Sequence, residues 1–129
     1  MTPEWKIAAD AGDATRLRQR LDEGADIDAR DAHGQTALMI AARNGHVAAV
    51  RLLVERGADL NCTAKFQLSA LMLAVINGRD AIVGILADAG ADRAIRATGA
   101  PGFEGRTALE IAQAGHRTIM VALLREPGH

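Results

Sequence analysis

The chain repeats itself every 33 residues, and that period limits what it can fold into. Gly24-Ala25-Asp26 returns as Gly57-Ala58-Asp59 and again as Gly90-Ala91-Asp92. A second series, Gly12, Gly45 and Gly78, keeps the same step of 33 and then reaches Gly115 after 37. A third, Thr36-Ala37-Leu38, Ser69-Ala70-Leu71 and Thr107-Ala108-Leu109, steps by 33 and then 38. Three registers sharing one period describe a chain of similar units, each burying its apolar side only against a neighbour.

Each unit reads as two short helices. In the second, Leu38, Ile40, Ala41 and Ala42 form a small-residue first helix, and Gly45-His46 breaks it. Val47, Val50, Leu52, Leu53 and Val54 then fall at helical spacing. Gly57 suits the left-handed position that ends a helix, and residues 59 to 68 connect to the next unit. Thr36, Ser69 and Thr107 are natural N-caps, and Thr107 with Glu110 is a capping-box pattern. The aromatics are Trp5, Phe66 and Phe103 alone, so the core must come from Ala, Leu, Ile and Val, which favours thin, close helices. At 129 residues the chain is one domain's length, 1–129, and can bury a core without a disulfide or metal.

These residues resemble the ankyrin-repeat family, whose 33-residue unit carries a Thr-Pro-Leu-His-x-Ala signature. The signature stands here as Thr36-Ala37-Leu38-Met39-Ile40-Ala41, Ser69-Ala70-Leu71-Met72-Leu73-Ala74 and Thr107-Ala108-Leu109-Glu110-Ile111-Ala112. The proline is replaced throughout, and Met39, Met72 and Glu110 replace the histidine, with the two methionines expected in the core. The resemblance implies an all-α solenoid of stacked helix-turn-helix units joined by short β-turn or hairpin connectors. Four repeats follow: about 4–29 as an N-terminal cap, 30–62, 63–95, and 96–126 as a C-terminal cap with an extended connector. The 37-residue step reads as five residues inserted before Thr107 and one deleted between Thr107 and Gly115. Polar outer sides are expected from Arg16, Arg18, Gln19, Arg20 and Asp22 at one end and Arg117, Arg125 and Glu126 at the other. The resemblance also assigns His46 and His116 to hydrogen bonds at the turn. His129 is simply the last residue.

Little points to catalysis. No nucleophile motif, phosphate loop or His-Glu-x-x-His appears, so no catalytic residue, metal or cofactor is expected and the chain reads as a non-enzyme. Net charge is −1, which offers no general attraction to nucleic acid or anionic membrane. No apolar run reaches membrane-spanning length and no leader pattern is seen, so a soluble, cytoplasmic protein is expected. The one cysteine, Cys62, stands where the other units have Ala29 and Ile95, which suits a small buried residue; Lys65 nearby keeps a redox role open. Asp26, Asp28, Asp31, Asp59, Asp88 and Asp92 cluster at connectors as turn formers rather than calcium ligands.

The resemblance implies a protein partner held by connector tips and by the exposed face of each first helix. Carried over by register, this selects His33, Gln35, Arg43 and Asn44 in the second unit. It selects Lys65, Phe66, Leu68, Ile76 and Asn77 in the third, and Phe103, Glu104, Arg106 and Gln113 in the fourth. Phe66, Leu68, Ile76 and Phe103 are expected as exposed apolar anchors. Alternatively, Phe66 and Phe103 pack on each other and fold the loop from 96 to 106, with its Pro101, onto the third unit. The expected function is a monomeric protein-binding module. The alternatives are a self-associating structural protein, using the same face to form a homo-oligomer, and a dedicated inhibitor of a neighbouring enzyme.

Overall fold

The computed structural model describes residues 1–99 and 102–125; Pro101, Glu126 and His129 lie outside the described residues. Eight α-helices follow in pairs: α1 (Pro3–Ala11) with α2 (Ala14–Asp22), α3 (Ala37–Asn44) with α4 (Val47–Glu55), α5 (Ala70–Ile76) with α6 (Asp80–Asp88), and α7 (Ala108–Ala114) with α8 (Thr118–Arg125). The first helices α1, α3, α5 and α7 pack in one row and the second helices in another. No strand occurs among the described residues, only an isolated antiparallel bridge between Thr63 and Ser69.

Local chemistry sets the ends of the first helices. The hydroxyls of Thr2, Thr36, Ser69 and Thr107 accept the backbone N–H three residues on. Each such cap contributes about 1 kcal/mol. Thr107 and Glu110 complete both halves of a capping box. Gly12, Gly45 and Gly78 then turn left-handed, and the next residue's N–H returns to the helix, as in His46 to Ala41 and Arg79 to Ala74.

The fourth unit corrects the sequence reading. There His116, at φ +56°, takes the left-handed position, Arg117 N–H returns to the Ala112 carbonyl, and Gly115 has φ −88°. Counted from the N-cap, His116 stands where Gly45 and Gly78 stand, so no residue is deleted. A deletion would rotate every later side chain of α7 by about 100° and move Ile111 and Ala112 off α5. The five extra residues all lie in the connector. Its closing backbone bond runs Asp31 to Gln35 and Ala64 to Leu68 in the inner units, and Ala97 to Arg106 in the fourth. His116 is therefore no counterpart of His46, and Ala114, not Gln113, matches Arg43 and Ile76.

Units approach most closely at the turn glycines. A Cβ on Gly12 would lie 2.3 Å from His46 Cγ, and one on Gly45 2.9 Å from Arg79 Cζ. This proximity lets His46 Nε2–H donate to the Asp10 carbonyl at 2.8 Å and Arg79 Nε–H to the Arg43 carbonyl at 3.2 Å. Gly12→Ala is expected to cost about 2 kcal/mol or more, through both the positive φ and the displaced imidazole. Gly24→Ala has the same conformational problem but nothing within 4 Å, and should cost about half as much. Thermal melts of the two variants check the difference.

The connector acids stitch the other edge. Asp26, Asp59 and Asp92 each accept the N–H two residues on. The Asp28 and Asn61 side chains accept the N–H of Asp59 and Asp92 in the following unit, at 2.9 and 2.7 Å. The ends close by substitution within register. Arg16, Gln19 and Arg20 are exposed where Ala49, Leu52 and Leu53 are buried. Gln113 and Arg125 are likewise exposed where Val75 and Ala87 are buried. Arg18 and Asp22 match Arg51 and Glu55, and Arg117 matches Arg79; those positions are open in every such unit, so these three residues do not distinguish an end.

Candidate functional site

Two open grooves lie along the side formed by the connectors and first helices. The first, about 300 Å³, is lined by His33, Gln35 and Arg43 of the second unit and by Ala64, Lys65, Phe66, Leu68 and Leu73 of the third. The second, about 240 Å³, takes Ile76 from the third unit and Phe103, Ile111, Ala114, Gly115 and Arg117 from the fourth.

The third connector shapes the first groove through an unusual turn. Lys65–Gln67 form a single 3₁₀ turn. Within it Phe66 and Gln67 have φ +64° and +59°, a region costing roughly 1–2 kcal/mol for a residue with a side chain. The conformation is held from three sides. Gln67 N–H donates to Ala64 O and Ala64 N–H to Leu68 O, both at 3.0 Å, while Thr98 N–H of the fourth connector donates to Phe66 O at 2.7 Å. The Phe66 ring comes to rest beside Gly99, and Lys65 Nζ sits 4.9 Å from the ring centroid. Arg30 ties the tips of the second and third connectors, donating to the Gly34 and Thr63 carbonyls at 2.9 and 2.7 Å.

Polar side chains frame the opposite wall. Arg43 donates to Gln35 Oε1 at 3.1 Å and to Asn44 Oδ1 at 3.4 Å. Gln35 is itself placed by Asp31, whose Oδ1 accepts the N–H groups of His33 and Gln35 at 2.9 Å each. Its Oδ2 accepts Lys6 Nζ at 3.2 Å, and the Asp31 side chain is only 4% exposed. Burial alone would raise the Asp31 pKa. The Gln35 and His33 backbone donors, with the Lys6 ammonium, outweigh it and hold the carboxyl below its ordinary value.

The structure thus brings His33, Gln35, Arg43, Lys65, Phe66 and Leu68 around one groove and Ile76 and Phe103 around the other. The expectation of exposed apolar anchors is corrected: all four are half-buried. Leu68, Ile76 and Phe103 lean on the core, while Phe66 stands apart from it. Nor do the two phenylalanines meet as partners, since they line different grooves. The fourth connector does fold back, through Gly105 N–H to Ala97 O and Arg96 to Gly105 O, but it reaches the third unit through Thr98 and Gly99. Asn77 turns onto its own helix, donating to Leu73 O at 2.8 Å. Asn44 donates to Asp10 O at 3.4 Å. Glu104, Arg106 and Gln113 are exposed and line neither groove.

Sequence reasoning missed Leu73 as groove floor and Arg117 as groove wall. Counting from the N-cap instead of from Gly115 would have aligned Arg117 with Arg79. Cys62 is half-buried against the core. Burial, then the Asp59 carboxylate, push its thiol pKa up, with Arg30 acting the other way, an environment that disfavours thiolate chemistry. Among the described residues no three His, Cys, Asp or Glu side chains gather as metal ligands would, and no helix is long and apolar enough to cross a membrane. A family model described as ankyrin repeats, in three copies, matches residues 5–97. No curated protein matches the chain.

Proposed function

The chain belongs to the ankyrin-repeat family, whose members are generally protein–protein interaction modules, and on that premise we propose that it is a non-enzymatic module holding a protein partner by its connector tips and first-helix face. The observation that supports this reading best is the first groove. Two units contribute to it, its walls are polar and its floor apolar, and it is bordered by a backbone kept in a costly conformation. Strain maintained by several independent contacts is a mark of functional surface. In this reading Phe66 and Leu68 supply apolar contact and Arg43, Lys65, His33 and Gln35 set complementarity. Asn44, Ile76, Asn77, Phe103, Glu104, Arg106 and Gln113 extend the surface along the stack.

Self-association gains less support. The exposed large apolar side chains among the described residues, Ile7 and Ile119, belong to the first and last units and form no shared patch. Whether the partner is an enzyme held inactive or a protein being tethered follows from its identity, which affinity capture supplies.

Phe66→Gly separates stability from binding. Glycine relieves the left-handed strain and removes a ring that lies outside the core, so the melting temperature should stay within a few degrees of wild type or rise. Capture from the source organism's extract should lose most of the partner that wild type retains. Equal retention by both forms would move the binding site elsewhere.

A further inference from the structure

The charges around the first groove have one sign. Arg43, Lys65 and His33 line it, and no Asp or Glu does. Arg43 and Lys65 have no ion pair; Arg43 bonds only the neutral Gln35 and Asn44 side chains, and Lys65 lies over the Phe66 ring. The nearest acid in the framework, Asp31, is turned inward and committed to Lys6 and two backbone donors. Most of the groove's accessible surface is nevertheless apolar, from Phe66, Leu68, Leu73 and Ala64. We infer that the partner presents an acidic, apolar segment here, with an Asp or Glu carboxylate between Arg43 and Lys65 and a neighbouring Leu-, Ile-, Met- or Phe-like side chain over Leu68 and Phe66.

The chemistry follows from the geometry. Arg43 is held by Gln35 and Asn44, so its remaining N–H donors are pre-aimed and lose little freedom on meeting a carboxylate. Lys65 is an exposed point charge on a short turn, and it supplies attraction without fixing geometry. The even overall charge of the chain makes this local excess a matter of recognition rather than bulk steering. A basic or neutral segment would leave two cations unanswered as it covered them.

This inference rests on the protein-binding reading, and its test separates the two. Random dodecapeptides displayed on phage are selected on the immobilised full chain, and the enriched peptides are synthesised and titrated. Expected are sequences with Asp or Glu within three residues of a bulky apolar residue. Arg43→Ala and Lys65→Ala should each weaken binding roughly tenfold, and added salt should weaken it further. Lys65 is exposed, so its variants keep the fold; melting curves confirm this for both. Selection of peptides without acidic enrichment, recovery of none, or affinities unchanged in both variants would overturn the proposal. In any of these cases, a natural partner still lost by Phe66→Gly would leave the binding module standing. A partner indifferent to Phe66→Gly would instead overturn that broader reading.

Discussion

Met72→Glu is expected to destabilise the protein by about 4 kcal/mol or more, enough to unfold most small domains at room temperature. Met72 is 1% exposed between neighbouring first helices, and so is Met39 one unit earlier. A carboxylate there would have to ionise in a dry contact or take up a proton. The same register position in the last unit already holds a glutamate. Glu110 is exposed, accepts the Thr107 N–H and pairs with Arg96 at 3.0 Å. Its carboxyl lies below the usual value because the Thr107 backbone N–H and hydroxyl, and then Arg96, bond its charged form. Glu110→Met should therefore produce a far smaller loss, and it would leave an apolar side chain on the open end. Urea unfolding of both variants measures the contrast. Comparable losses would mean that the stack does not end where α7 and α8 end.

Asp31→Ala is expected to cost about 2 kcal/mol or more, from one exposed-looking connector residue. Two backbone N–H groups at a tight turn lose their acceptor together, and Lys6 loses its partner. Asp31→Asn keeps an oxygen for both N–H groups and turns an amide toward Lys6, so its loss should be smaller. The folded carboxyl titrates below 3.8, its ordinary value. Its contribution is therefore fully present above that pH and disappears as pH falls through the lower folded value. Acid unfolding of wild type should carry this component and that of Asp31→Ala should not. Gln35 would also lose its anchor, so the variant should weaken partner binding through Arg43.

The unit pattern was legible because ends of helices are chemically explicit. Thr36, Ser69 and Thr107 cap, Gly45, Gly57 and Gly78 turn, and the acids at 26, 59 and 92 close their own loops. The fourth unit misled because Gly115-His116 copies Gly45-His46 in letters while the helix keeps count from Thr107. Packing against α5 fixes that count, and packing is not written in the dipeptide. Which residues share a register was readable, and it is this that placed His33, Gln35, Arg43 and Lys65 on one side. How deep the apolar residues sit was not, since the left-handed turn at Phe66 depends on Thr98 and Gly99, some thirty residues away. No local propensity announces a phenylalanine at positive φ. Its stability comes from contacts between units, which is also why the turn can border a groove.

The central claim is that a partner occupies the first-helix and connector side of the stack. Amide hydrogen exchange of the chain alone and with its captured partner tests this directly. The account predicts added protection across residues 63–69, at the C-terminal end of α3 and in the connector around 97–99, with the second helices unchanged. Protection confined to α2, α4, α6 and α8 would contradict it.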